Sequence, residues 1–167
     1  MRVLTIIFLL SSTLFKAQEA PELPQFNIKN LKNQSVNKDS LLKHGKITVL
    51  NFWASWCDPC KLEMLEISQI RKEKEFQNVQ FVSVTIDNAE GVSKAKTWFK
   101  NNKCSWSLYL DTQQDFFNKV LTVTDNTSTA IPVCIVIDKQ GRIKSFNTGF
   151  ERDTYKDELL EVIRQIE

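Results

Sequence analysis

Glycine, proline, cysteine and net charge are all scarce in this sequence of 167 residues. With only four glycines and four prolines, the chain cannot be collagen-like or of low complexity. A formal charge of +2 is too small for a nucleic-acid-binding protein, which needs a dense basic surface to offset phosphate charge. Four cysteines are too few for a scaffold held together by disulfides. Since 42% of the residues are hydrophobic, we expect one folded domain with a hydrophobic core.

The N-terminal residues have the pattern of a secretory signal peptide. Arg2 supplies a positive charge, an apolar run follows over residues 3–10 and continues weakly to Phe15, and Ala17 offers a small residue for cleavage. This run is shorter than the roughly twenty residues that span a bilayer. We therefore expect a signal peptide over residues 1–17 and a mature domain over residues 18–167. A buried N-terminal strand and an uncleaved membrane anchor are the alternatives.

Export would place the mature chain in a compartment where disulfides persist, most simply the periplasm. The first cysteine is Cys57, so the signal peptide offers no acceptor for the lipid of a lipoprotein. Loss of Arg2 and Lys16 would leave the mature chain with a net charge near zero. We expect a monomer that binds no nucleic acid and does not insert stably into the membrane after cleavage.

Hydrophobic patterning along the mature chain indicates an α/β fold. Strands alternate with helices until a C-terminal hairpin and helix, the order of an α/β sandwich around a mixed sheet. A capping box at residues 154–157 is expected to begin the last helix, and Gly141 is expected to turn the hairpin. The N-terminal part, residues 21–46, is polar and fits a short strand or hairpin. The predicted strands cover residues 47–53, 79–86, 107–110, 133–137 and 142–147, and the helices cover residues 61–75, 92–99, 116–121 and 154–166.

Two cysteines stand where the first buried strand gives way to the first helix. A thiol in the first helical turn faces unpaired backbone N–H groups and the positive end of the helix dipole, which favour the thiolate. Cys57 is the outer thiol and is predicted to be the nucleophile. Cys60, three residues later, can attack Cys57 and resolve a mixed disulfide. Pro59 is tolerated because its missing N–H falls in the first turn.

A zinc half-site and a static disulfide are the alternative interpretations of this Cys-x-x-Cys pair. Zinc needs two further ligands at compatible spacing, and Cys104, Cys134 and His44 form no second pair. Attachment of haem would need histidine after Cys60, where the chain has Lys61. The position at a strand-to-helix junction favours a redox-active pair, with no metal and no cofactor.

Residues 49–61, with the sequence VLNFWASWCDPCK, resemble the active-site segment of the thioredoxin superfamily. The segment is most similar to the exported TlpA/ResA-like branch of thiol-disulfide oxidoreductases, and the likeness extends over the mature chain. It includes residues 24–26, residues 45–46, the Ile131–Pro132 pair and Gly149. The resemblance implies a thioredoxin-like three-layer α/β/α sandwich with a mixed central sheet and an N-terminal hairpin extension.

The same resemblance implies roles for two further residues. Pro132 matches the family's cis-proline, which packs beside the dithiol; an ordinary strand-entry proline is the alternative. Glu63 matches an acidic residue that could relay the proton of Cys60; a solvated helix glutamate is the alternative. Asn51 stands where thioredoxin has a buried aspartate, which makes Glu63 the better candidate for proton transfer.

A substrate-binding rim is also implied around the dithiol. We expect Trp56, Asp58, Pro59 and the backbone of Ile131 to contact substrate, whereas Trp53 packs inward. The loop over residues 122–130 is longer than the usual lead-in to the cis-proline and is expected to border the dithiol. Leu65 replaces a helix proline of many relatives, so no helix kink is assumed. In this fold Cys104 and Cys134 fall near opposite sides of the central strands, so we expect no disulfide between them.

The resulting hypothesis is an exported thiol-disulfide oxidoreductase that reduces protein disulfides through Cys57 and Cys60. Its partners would be protein disulfides or dithiols and a membrane dithiol electron donor, in cytochrome c maturation or in redox homeostasis. Asp58 disfavours the Cys57 thiolate, which argues against a strong oxidant. The alternatives are a disulfide-forming oxidase or a peroxidase on the same fold, and a copper chaperone or redox-inert chaperone without enzymatic activity.

Overall fold

The computed structural model describes residues 19–167, which form a seven-stranded sheet with five helices. The predicted signal peptide at residues 1–17 lies outside the described residues. The strands are β1 (Ile28–Asn30), β2 (Ser35–Val36), β3 (Thr48–Trp53), β4 (Gln80–Thr85), β5 (Ser107–Leu110), β6 (Val133–Ile137) and β7 (Ile143–Thr148). The helices are α1 (Lys38–Leu41), α2 (Asp58–Ile70), α3 (Val92–Asn101), α4 (Asp115–Val123) and α5 (Arg152–Ile166).

The sheet is mixed, and its strand order is β2-β1-β5-β4-β3-β6-β7. β3 is an interior strand, parallel to β4 on one side and antiparallel to β6 on the other. Every residue of β3 is buried, in agreement with the apolar run that predicted a strand covered on both faces. The dithiol motif follows β3 directly, so the site begins at the carboxyl end of a fully buried strand.

Helices cover both faces of the sheet, which gives the predicted three layers. Side chains alternate along a strand, so neighbouring residues of β3 face opposite layers. The ring of Phe52 contacts those of Phe116 and Phe117 in α4, at centroid distances of 5.1 Å. On the other face, Val49 belongs to a buried cluster that includes Ile67 of α2 and residues of α5. The α/β/α sandwich expected from the sequence is therefore confirmed.

The N-terminal extension is a hairpin that continues the sheet. β1 pairs antiparallel with β2 and with β5, and the extension contributes Leu23 and Phe26 to the main core. The short helix α1, which the sequence did not predict, follows the hairpin. Its N-terminus is closed by a capping box between Asn37 and Ser40. This extension is thus part of the domain core.

The predicted bounds of two helices are wrong. The helix predicted over residues 61–75 begins at Asp58 and ends at Ile70, and a separate 3₁₀ turn covers Lys74–Phe76. The break lets the chain turn so that Phe76 enters the core. The capping box predicted at residues 154–157 is absent, because α5 begins at Arg152 and Glu151 precedes it without a side-chain cap. Among the described residues, no helix combines the length and apolarity needed to cross a bilayer.

Candidate active site

Cys57 and Cys60 form a disulfide at the first turn of α2. The backbone of Cys57 is extended, which places it as the N-cap of the helix, and its sulfur accepts a hydrogen bond from the backbone N–H of Cys60 at 3.2 Å. Cys57 is 6% exposed, whereas Cys60 is fully buried. An N-cap sulfur that accepts a backbone hydrogen bond would be stabilised as a thiolate after reduction. Cys57 is thus the more accessible of the two sulfurs.

The peptide bond between Ile131 and Pro132 is cis, and it lies beside Cys57. The carbonyl oxygen of Ile131 is 3.7 Å from the sulfur of Cys57. The carbonyl of Pro132 accepts a hydrogen bond of 2.8 Å from the N–H of Gly149, which anchors the turn to the loop after β7. The exposed residues 127–130 precede Ile131 in the chain. Ile131 and Pro132, which are far from the Cys57–Cys60 motif in sequence, therefore lie next to it in the fold.

A rim of exposed side chains surrounds the disulfide. Trp56 is 66% exposed, while Trp53 is fully buried, as the sequence predicted for both. Asp58 and Pro59 are also exposed. Asp58 forms an ion pair of 2.9 Å with Lys61, in which the aspartate is largely exposed. Such exposed pairs contribute little to stability, so this one serves mainly to offset negative charge next to Cys57.

Asp87 holds the loop between β3 and α2 in place. Its carboxylate accepts hydrogen bonds from the N–H of Ser55 at 2.8 Å, from the Ser55 hydroxyl at 2.7 Å and from the Thr85 hydroxyl at 2.5 Å. The side chain is buried. Sequence reasoning did not assign Asp87 a role, although its position just after a strand next to β3 was a usable signal. It fixes the residues that precede Cys57.

Glu63 is completely buried on α2, one turn after Cys60. The amide of Asn51 donates a hydrogen bond of 3.3 Å to its Oε2, and Oε1 has no hydrogen-bond partner. Burial raises the pKa of Glu63 from its ordinary value of 4.5 to about 8, against smaller lowering effects of Asn51 and Tyr155. The alternative of a solvated helix glutamate is therefore wrong. The carboxyl group can exchange a proton near neutral pH.

Comparison with known proteins places the chain in a family. The model of the AhpC/TSA family matches residues 20–146, most of the chain. The chain belongs to the AhpC/TSA family. Sporulation thiol-disulfide oxidoreductase A of Bacillus subtilis (strain 168) is 26% identical over 134 residues, which cover 79% of this chain and 76% of the relative. Thiol-disulfide oxidoreductase ResA of the same organism is 24% identical over 170 residues, which cover 97% of this chain and 89% of the relative.

Solved structures confirm the fold of this AhpC/TSA family member. A protein of Chlorobium tepidum described as a thiol:disulfide interchange protein DsbE superposes with a TM-score of 0.72. The two are 21% identical, and the match covers 88% of this chain and 96% of the other. The predicted thioredoxin-like fold and the resemblance to ResA-like proteins are both confirmed. Together with the Cys57–Cys60 pair, they make the chain a thioredoxin-like thiol-disulfide oxidoreductase.

The other two cysteines of this family member are free thiols with raised pKa values. Burial raises the pKa of Cys104 to about 11, and burial together with the nearby Glu63 raises that of Cys134 further. Thiols that stay protonated are poor nucleophiles. Cys104 packs against the main core, whereas Cys134 belongs to the second buried cluster. Within residues 19–167, no group of three or more His, Cys, Asp or Glu side chains could hold a metal ion.

Tyr155 is the second neighbour of the site that sequence reasoning missed. It falls within the last predicted helix, residues 154–166, and it is buried on α5. Its hydroxyl lies 3.6 Å from the sulfur of Cys134 and acts on the pKa of Glu63. No local motif in the sequence marks this contact, because α2, β6 and α5 meet only in the folded protein.

Proposed function

We propose that this protein reduces disulfides of exported proteins, with Cys57 as the nucleophile and Cys60 as the resolving thiol. The observation that carries the proposal is the Cys57–Cys60 disulfide at the N-terminus of α2, with Cys57 facing the cis Ile131–Pro132 bond. This arrangement leaves one sulfur approachable and keeps the other buried. A mixed disulfide can thus form only at the outer position.

The first step is attack of the Cys57 thiolate on a substrate disulfide. A bond forms between the sulfur of Cys57 and one substrate sulfur, and the other substrate sulfur leaves as a thiolate. The N–H of Cys60 and the dipole of α2 stabilise the Cys57 thiolate before attack. The reduction of the substrate disulfide is not complete at this stage, because the two proteins are still linked.

In the second step Cys60 releases the substrate. Glu63 in its carboxylate form takes the proton of the Cys60 thiol, and the resulting thiolate attacks the sulfur of Cys57. The Cys57–Cys60 disulfide forms and the substrate sulfur leaves as a thiolate. The substrate gains two electrons and the protein loses two. With a pKa of about 8, Glu63 is ionised often enough near neutral pH to act as this base.

Substrate is expected to bind along the rim beside Cys57. The carbonyl of Ile131 points towards the cysteine and can pair with an extended substrate backbone, while Trp56 offers an exposed aromatic surface. A groove next to Trp56 has Asn88, Glu90 and Lys94 in its wall and can accept a polar segment. Because Trp56 is exposed and this groove lies beside it, the rim suits protein substrates of varied sequence.

The direction of electron flow is proposed to be reducing. A strong oxidant needs a highly stabilised thiolate in its reduced form. Asp58 places negative charge next to Cys57 and opposes this stabilisation, although Lys61 offsets part of it. The relatives named ResA and sporulation thiol-disulfide oxidoreductase A support the same class of reaction. The oxidised protein would be reset by a membrane dithiol donor, in cytochrome c maturation or redox homeostasis.

The proposal also covers the cellular location and the oligomeric state of the protein. Residues 1–17 are proposed to be a signal peptide that directs the domain of residues 18–167 to the periplasm, where it acts as a monomer. Expression of the full chain, followed by N-terminal sequencing of the exported form, tests this point. A mature N-terminus at Gln18 is expected, and retention of Met1 in the membrane fraction would contradict it.

Mixed-disulfide trapping with Cys60→Ala in the native compartment tests the activity. Without the resolving thiol, Cys57 should remain bound to its partners as adducts that dithiothreitol releases. Cys57→Ala/Cys60→Ala is the matched control and should trap nothing, since Cys104 and Cys134 stay protonated. Absence of adducts contradicts the proposal. A reduction potential near about −120 mV, that of DsbA-type oxidants, contradicts the reducing direction.

A further inference from the structure

Exchange of the Glu63 proton with solvent needs a route that a bound substrate does not block. The carboxyl group is fully buried, so a proton taken from Cys60 either exchanges along such a route or returns to Cys60 when the disulfide is reduced again. The side of the disulfide that reaches the surface, next to Trp56 and Ile131, is the side that a protein substrate would cover. A second connection between the carboxyl group and solvent would remove this conflict.

The hydroxyl of Tyr155 is a buried neighbour of Glu63. α5 carries Tyr155, and its hydroxyl is 3.6 Å from the sulfur of Cys134 on β6. Cys134 is the cross-strand partner of Asn51, whose amide donates to Glu63. The free atom of the carboxyl group, Oε1, has no hydrogen-bond partner, although Tyr155 lies close enough to lower the pKa of Glu63. An unpartnered buried oxygen and a hydroxyl are therefore neighbours.

Behind Tyr155 the surface opens into a cleft between β7 and α5. Cys134, Phe146, Gly149, Tyr155 and Glu158 are among the residues in its wall, and its volume is about 570 Å³. A water molecule occupies about 30 Å³ of liquid, so the cleft is large enough for several. None of Cys57, Cys60, Trp56 and Ile131 lines it. Solvent in the cleft would remain in place while substrate occupies the rim.

We propose that Tyr155 is a positioning residue that connects the Glu63 carboxyl group with solvent in the cleft between β7 and α5. The inference rests on the proposed function of Glu63 as the base for Cys60. In one turnover the proton of Cys60 passes to the Glu63 carboxylate. Glu63 then gives a proton to the Tyr155 oxygen as the tyrosine gives its own to cleft solvent. One proton leaves, no electrons move, and Tyr155 ends as it began.

Among Glu63, Tyr155 and Cys134, which meet at this connection, Glu63 is the one expected to titrate near neutral pH. Tyr155 faces Glu63 of α2 and Cys134 of β6, and Glu63 follows Cys60 by about one turn on α2. Burial, then the charges of Cys134 and Glu63, raises the pKa of Tyr155 far above its ordinary range. The pKa of the Cys134 thiol is likewise raised. Glu151 and Glu158 stand at the cleft wall and keep it polar.

The test compares Tyr155→Phe with the wild-type chain and with Tyr109→Phe. Tyr109 is the other tyrosine of the chain, on β5, and its substitution removes the same hydroxyl away from the site. Reduction of the oxidised full-length protein by dithiothreitol is followed by tryptophan fluorescence from pH 6 to pH 10, in water and in heavy water. Denaturant unfolding of each variant shows whether it is folded.

For Tyr155→Phe we expect reduction about fivefold slower or more at pH 7, less than the roughly 10²–10⁴-fold of general acid–base catalysis because Glu63 itself is retained. The apparent pKa of the rate profile should rise, because the tyrosine hydroxyl lowers the pKa of Glu63. The solvent isotope effect should grow, and imidazole, small enough for the cleft, should restore part of the rate. A purely structural role of Tyr155 would lower stability without moving the profile or allowing rescue.

Four results would overturn the inference. A Tyr155→Phe profile equal to that of Tyr109→Phe removes any role for the hydroxyl. A shifted profile with an unchanged rate shows that Tyr155 tunes Glu63 but carries no proton. Glu63→Gln separates the two proposals: if it slows reduction while Tyr155→Phe does not, the role of Glu63 stands and the connection fails. If Glu63→Gln itself has no effect, both fail.

Discussion

At the scale of single residues, the free-energy cost of ionising the buried Glu63 determines the chemistry of the site. An ionised carboxylate in the core is costly unless hydrogen bonds compensate for lost hydration. Asn51 supplies one such bond, and Oε1 has none. The folded protein therefore holds a proton on Glu63 that the unfolded chain releases. The same group that serves as an acid or base in the proposed mechanism lowers the stability of the fold.

Glu63→Gln is expected to stabilise the oxidised protein in a pH-dependent manner. The pKa of Glu63 is about 8 when folded and 4.5 as an ordinary side chain, so the folded state binds more protons between these values. The free energy of unfolding should thus fall as pH rises from 4.5 to 8 in the wild type. The free energy of unfolding of the variant should not show this fall. At pH 8 it should exceed that of the wild type by on the order of 3 kcal/mol.

Denaturant unfolding at pH 5, 6, 7 and 8 measures the effect of Glu63→Gln. Glu66→Gln is the matched control, since it removes a partly exposed carboxylate from the same helix. The control should leave the pH dependence unchanged. Equal pH dependence in wild type and Glu63→Gln would show that Glu63 is ionised as easily as an exposed glutamate.

At the scale of elements, the junction between β3 and α2 is held by its neighbours β4 and α3. Asp87 follows β4 and accepts two hydrogen bonds from Ser55 in the junction. Gly91, directly before α3, approaches Asp87 closely: a Cβ atom there would lie 2.5 Å from the carboxylate oxygen Oδ1 and 3.0 Å from the Asp87 Cβ. The start of α3 thus limits where Asp87, and through it the active-site loop, can lie.

Gly91→Ala is expected to lower stability by about 1–3 kcal/mol and to slow disulfide reduction. The backbone at Gly91 suits any residue (φ −79°), so the cost arises from the close approach alone. Displacement of Asp87 would break its bonds to Ser55 and loosen the loop before Cys57. Ser93→Ala, an exposed position on α3, is the control and should change neither property. Wild-type stability and rate for Gly91→Ala would show that Asp87 can move freely.

The strands and helices also show which element bounds a sequence pattern can predict. Strands β5 and β6 were predicted at their observed bounds, and in β6 the continuous apolar run between polar turns leaves little freedom. Helix ends were predicted less well. Thr154 has the residue type of a cap, yet α5 begins two residues earlier, where Tyr155 can still reach the second buried cluster. Packing against the sheet overrode the local capping preference.

At the scale of the whole molecule, the N-terminal extension closes the core. Phe26 stacks on Phe116 of α4 at a centroid distance of 3.8 Å, and Leu23 packs in the same cluster. Backbone hydrogen bonds join Leu23 to Gly141 and Ile143 to Pro21, so the extension also binds the β6–β7 turn. We therefore expect residues 21–36 to unfold together with the rest of the domain.

Phe26→Ala is expected to lower the free energy of unfolding by about 3–5 kcal/mol, the usual cost of emptying a buried phenylalanine site. Far-ultraviolet circular dichroism and tryptophan fluorescence should report the same unfolding midpoint. Leu31→Ala, in the β1–β2 turn where the side chain is 50% exposed, should cost much less and serves as the control. Two separate transitions in the wild type would show that the extension is an independent unit.

The sequence alone determined the architecture and the chemistry of the dithiol. Apolar runs defined the central strands, and the Cys57–Cys60 spacing at a strand-to-helix junction specified a redox pair, since both signals lie within a few consecutive residues. The cis Ile131–Pro132 bond was inferred through a family resemblance, because its meaning depends on a distant neighbour. Only the tertiary structure buried Glu63, joined it to Asn51 and Tyr155, and placed Asp87 under the active-site loop. Those effects depend on burial and on contacts between residues far apart in sequence, which no local pattern records.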